Sequence, residues 1–157
     1  MSILEYMTIR FSFSERPGTI PPDLRPVWRI AVLLLILNSS RGKHASLKRL
    51  HVLNWAIRTP ESRKQFATRM DPQAPQHGAT IRFEPGLGRA LVLAEAEGLI
   101  QITRGATAQL TNRGRQIADE IEACDACLSE ERQFMHEVGI HILEKDIDPL
   151  LTMESKP

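Results

Sequence analysis

The stretch from Glu97 to Gly114 constrains the fold more than any other part of this chain. Leu99-Ile100-Gln101-Ile102-Thr103 alternates as a strand does, Arg104-Gly105-Ala106 has turn composition, and Thr107-Ala108-Gln109-Leu110 returns as a second strand. Gly98 stands where a preceding helix must stop, and Thr111 where the next helix needs an N-cap. A short hairpin is therefore pinned between two helices.

The remaining segments read as helices. Asp23 suits an N-cap and Pro26 a first turn, for a helix to about Leu37. It is apolar on every side and contains the longest apolar run, Ile30 to Leu37, which suits the centre of a core. Ser46 caps a second helix with a stripe of Leu47, Leu50, Leu53, Asn54 and Ile57. Thr59-Pro60 opens a third, basic helix to Met70, anchored by Phe66 and Met70. Residues 71–80 form a loop, and Ile81 and Phe83 a short strand. The helix before the hairpin runs from Gly86 to Glu97 with Leu87, Ala90, Leu91, Leu93 and Ala94 on its apolar face. After Thr111 one long helix is expected to reach Val138, with Ile117, Ile121, Cys124, Leu128, Met135 and Val138 as its seam. This is a mainly α, winged-helix-like order of elements. Residues 1–24 form an irregular arm with a hint of strand at Ile9, Phe11 and Phe13. Residues 25–138 are the winged-helix-like domain, and 139–157 a short helix with a polar tail.

Charge is unevenly distributed. The net charge is +1, yet residues 25–70 hold ten basic side chains and only Glu61 as an acid, while residues 116–157 hold three basic and eleven acidic ones. The asymmetry suggests an anionic partner for the first half or a cationic one for the second, unless the two halves neutralise each other. Arg41, Lys43, Lys48, Arg58, Arg63, Lys64 and Arg104 are the candidate contacts to DNA or an acidic protein surface. Ile117, Ile121, Leu128 and Met135 are the candidate partner interface, in a heteromer or a homodimer.

The residues argue against an enzyme. Neither a Gly-x-x-x-x-Gly-Lys-Ser/Thr loop nor a Gly-x-Gly-x-x-Gly turn is present, and the five histidines fit no Ser/His/Asp or Cys/His pattern. Cys124-x-x-Cys127 lies where a helix interior is expected, which favours packing over redox chemistry. His136 and His141 have the wrong spacing to complete a zinc site with it. No cofactor or metal is expected. No apolar run approaches the roughly 20 residues that span a bilayer, and no segment reads as a signal peptide, so a soluble cytoplasmic protein is expected. The helix before the hairpin, where a DNA-reading winged helix engages the major groove, offers Arg89, Glu95 and Glu97 among apolar residues. It has no Asn, Gln or Ser to read base edges.

From Arg25 to about Ile121 the chain resembles the middle component of bacterial ABC-three-component systems. The resemblance is carried by Arg25-Pro26-x-x-Arg29-Ile30-Ala31 and by Lys48-Arg49-Leu50-His51-Val52-Leu53-Asn54-Trp55-Ala56. It continues through Phe83-Glu84-Pro85-Gly86-Leu87-Gly88-Arg89-Ala90, Glu97-Gly98-Leu99-Ile100 and Leu110-Thr111-Asn112-Arg113-Gly114. It implies a non-enzymatic adaptor that joins an SMC-like or RecN-like ATPase to an effector such as a nuclease, or holds that assembly on DNA. Such systems look like anti-phage or anti-plasmid defence, the Lamassu type among them. The alternative is a dimeric winged-helix transcription regulator, which would bind specific duplexes through Arg89 and Arg104.

Overall fold

A computed structural model describes residues 25–73, 81, 84–139 and 141–152. Among these residues seven helices and three short strands follow one another: α1 (Pro26–Ser39), β1 (His44–Ser46), α2 (Leu47–Ile57), α3 (Pro60–Met70), α4 (Pro85–Ala96), β2 (Ile100–Thr103), β3 (Thr107–Leu110), α5 (Asn112–Ala123), α6 (Ser129–Val138) and α7 (Glu144–Thr152). A 3-10 turn, Arg41–Lys43, joins α1 to β1. The fold is mainly α and winged-helix-like, with a three-stranded antiparallel sheet in the order β1-β3-β2.

The apolar α1 is the central helix. Six consecutive residues, Val32 to Leu37, are each at most 1% exposed, so every side of the helix meets protein. It packs against α4, α5, α6, α2 and strand β3. Side chains buried this completely contribute about 1.5–3 kcal/mol each from transfer out of water. The start of α1 is not capped by a side chain, and Pro26 takes the first-turn position. The expected cap, Asp23, and the whole arm 1–24 lie outside the described residues.

Local chemistry sets the other boundaries. The Ser46 hydroxyl accepts the Arg49 amide at 3.1 Å and starts α2. Thr59 and Ser62 form a reciprocal capping box at the head of α3. Gly98 ends α4 with a φ of 71°. The wing turns through Arg104 and Gly105, both left-handed (φ 53° and 65°), and β2 then pairs with β3 in the register Thr103 to Thr107.

The Leu110-Thr111-x-x-Gly114 run ties the wing to the body. The Thr111 side chain accepts the Gly114 amide at 3.1 Å and donates to the Gly98 carbonyl at 2.6 Å. A Cβ on Gly114 would lie 2.0 Å from the Leu99 carbonyl oxygen. The hydroxyl and the glycine together let α5 close onto the start of the hairpin.

Two expectations are corrected. The long helix to Val138 is two helices, because the chain leaves α5 at Cys124 (φ −89°, ψ 106°) and turns through a left-handed Leu128 (φ 47°) into α6. Seam spacing at 117–138 continues across this break because both helices rest on the same core, which periodicity alone does not distinguish from one rod. Arg132 holds the turn, donating to the carbonyls of Cys127, Glu122 and Asp125 at 2.7–3.1 Å. The second correction concerns Cys124 and Cys127. They sit in this turn, half-buried and exposed, joined by a disulfide rather than packed in a helix interior. Ile81 is buried but lies in no strand, and the rest of the expected strand falls outside the described residues.

The C-terminal segment shares the core. Ile142, Ile147 and Leu150 are buried, and α7 packs against α2. Arg49, itself 4% exposed, reaches across to donate to the carbonyls of Gly139 (2.6 Å) and Ile142. Burial holds its pKa below the usual arginine value, with partial relief from the charges of Glu144 and Asp146.

Candidate functional site

The basic block is largely engaged within the fold. Arg29 is buried and pairs with Glu84 through two hydrogen bonds of 2.8 and 2.5 Å. Arg58 approaches the same carboxylate at 3.3 Å, and Asn54 donates to it at 3.3 Å. Arg63 pairs with Glu130 at 2.8 Å and donates to the Ile57 carbonyl. Lys43 donates to the Asn38 carbonyl at 2.5 Å. Lys48 meets Asp148 at 3.4 Å on the surface, a contact worth little in water. Arg69 lies 5.3 Å from the centre of the Trp55 ring. The basic and acidic halves therefore meet in the pairs Arg63–Glu130 and Lys48–Asp148. Of the seven candidate cations, Arg41, Lys64 and Arg104 are exposed and form no ion pair among the described residues.

Glu84 is the hub of the internal network. Hydrogen bonding from Arg29 holds its carboxyl below the usual range, against the opposing effect of burial, with further help from Arg58 and Asn54. His51 is also held below its usual value, by burial, while the Glu84 charge pulls the other way. Both groups bind fewer protons folded than unfolded, so both make stability rise with pH. The contribution of His51 begins to fall away as pH drops below its ordinary 6.5. That of Glu84 is complete above its ordinary 4.5 and is lost as pH falls to its folded value. Glu84→Gln is expected to flatten the second of these acid limbs, read as the urea midpoint between pH 6 and pH 3. An unchanged slope there would remove Glu84 as the hub.

The helix at the reading position, α4, presents a different surface from the one its sequence suggests. Leu87, Ala90, Leu91 and Ala94 are buried as expected, but Leu93 is 45% and Val92 67% exposed. The helix is apolar on more than one side, so periodicity does not tell which side is covered. With its C-cap Glu97, the helix has exposed residues in two neighbouring rows: Gly88, Val92 and Ala96, and Arg89, Leu93 and Glu97. Glu95 does not project toward a ligand; its carboxylate accepts the Ile102 amide of edge strand β2 at 2.7 Å. At the other edge, Glu144 accepts the amide and hydroxyl of Ser46 at 3.1 and 2.6 Å. Each edge of the sheet thus has a carboxylate on an outward amide, which disfavours addition of a further strand.

The residues expected to form a partner interface lie elsewhere. Met135 is 1% exposed, and Ile117, Ile121 and Leu128 are half-buried against the core. They join α5 and α6 to the body instead of forming one open seam. The Arg29–Glu84–Arg58 network was not legible in the sequence because its members lie 26 to 55 residues apart.

Several clefts are lined by side chains of both charges. One of about 580 Å³ lies between α2, the wing and α7, lined by Lys48, Gly105, Glu144, Lys145 and Asp148 among others. Among the described residues no group of three or more His, Cys, Asp or Glu is placed to hold a metal ion. No helix among them is long and apolar enough to cross a membrane. No family model, no curated protein and no solved structure matches the chain.

Proposed function

We propose that this chain is a non-enzymatic winged-helix adaptor that bridges an SMC-like ABC ATPase and an effector such as a nuclease, in a bacterial defence complex acting in the cytoplasm. The assignment of partners rests on the sequence resemblance. The observation that carries the adaptor reading is the outward face of α4. Where a DNA reader places hydrogen-bonding side chains for base edges, this helix offers Val92, Leu93, Gly88 and Ala96 with Arg89 as its one cation. Exposed apolar side chains in a row suit a protein surface better than a phosphate backbone.

The second reading, a DNA-binding regulator, is favoured by the winged-helix-like fold and by the exposed Arg41, Lys64 and Arg104. Titration of the full chain onto fluorescent duplexes separates the two. An adaptor binds any sequence equally and weakly. A contact made through Arg41, Lys64 and Arg104 alone gives a slope of log affinity against log salt no steeper than about −3. Tight binding to one sequence, lost on Arg89→Ala or Arg104→Ala, would establish the regulator.

A further inference from the structure

We infer that the exposed face of α4 joins two copies of this chain in an antiparallel, two-fold contact. The inference rests on the reading of α4 as a protein-docking rather than a DNA-reading face.

Its basis is the symmetry of the exposed rows. Arg89, Leu93 and Glu97 stand four residues apart on one ridge of the helix, all exposed. Among the described residues neither the Arg89 nor the Glu97 side chain makes an ion pair or hydrogen bond. Leu93 is their midpoint. A two-fold axis through Leu93 therefore sets Arg89 of each copy opposite Glu97 of the other, and forms two ion pairs from one kind of ridge. The neighbouring row is also symmetric, with Val92 flanked by the small Gly88 and Ala96. These small residues leave room for the partner helix to approach beside the central Leu93 pair.

Charge complementarity selects a second copy over other occupants. A foreign helix would need its own acid and base at this spacing, whereas a second copy supplies both. A strand is disfavoured, because Glu95 already covers the adjacent edge of β2. The helix is short, 12 residues, or about 18 Å long at 1.5 Å per residue. A contact only one short helix long is small beside the roughly 1,200–2,000 Å² of a standard interface, so weak, reversible association is expected.

Sedimentation equilibrium of the full chain over a concentration series tests this. The expected result is a reversible monomer–dimer equilibrium. Arg89→Glu should weaken it about tenfold or more through like-charge contacts with Glu97. The double variant Arg89→Glu, Glu97→Arg should restore it to within about threefold of the original. All four changed positions of the dimer are exposed in the monomer, so circular dichroism should stay unchanged. A monomer at every concentration, or a dimer whose strength ignores these charges, would overturn the inference. A dimer that follows the charge pattern but captures no ATPase from its host supports the two-fold contact and removes the bridging role. A monomer that captures the ATPase does the reverse.

Discussion

Gly114→Ala is expected to destabilise the protein by about 3 kcal/mol or more, at the upper end of what overpacking costs. The glycine's backbone lies against the Leu99 carbonyl, and a methyl group there would sit 2.0 Å from that oxygen. The oxygen belongs to the backbone that begins the hairpin and accepts the Thr111 amide at 3.1 Å, so it cannot move without opening the closure of the wing. Gly88→Ala is the matched control, because nothing lies within 4 Å of a Cβ built there. In dilute solution that change should be neutral, or stabilising by up to about 1 kcal/mol from helix propensity. Urea unfolding of both variants decides the matter. Equal midpoints would mean that the Leu-Thr-x-x-Gly run is not held together by this contact.

Arg49→Met should have the second-largest effect, about 2–3 kcal/mol. Two opposing terms set this value. Removing a buried cation relieves desolvation, to which the lowered pKa testifies. It also leaves the carbonyls of Gly139 and Ile142 without their buried donor, at about 1–3 kcal/mol for each unsatisfied group. The second term is larger because two buried carbonyls lose their donor at once. The loss should be local first. Hydrogen exchange is expected to speed up at 142–151, where Ile142, Ile147 and Leu150 are buried, before the hairpin or α1 is affected. Uniform acceleration across the chain would show that the C-terminal segment is not a separable layer clamped by Arg49.

Much of the architecture was legible because local rules and burial agree. The all-round apolar content of α1 marks a central helix. Ser46, Thr59-Pro60 and Thr111 each begin a helix through their own side chain or ring. Gly98 and the Arg104-Gly105 turn fix the hairpin. Legibility fails where two helices share a face. The residues 117, 121, 128 and 135 keep one spacing across the turn at 124–128 because the core, not a continuous helix, sets it. It fails again on α4, where apolar residues on several sides hide which side is covered. The candidate cations were readable as a charge excess and their neutralisation by the acidic half as one outcome, but not which acid meets which cation. Glu84, Glu130 and Asp148 approach them from positions 26 to 100 residues away, a distance at which pattern carries no information.

The adaptor role is tested most directly by tagging the chain in its native host, purifying it gently and identifying its companions by mass spectrometry. A large coiled-coil ATPase, with or without a nuclease, is the predicted result. A chain that returns alone, or with one set of DNA fragments, would contradict the adaptor role and favour the regulator.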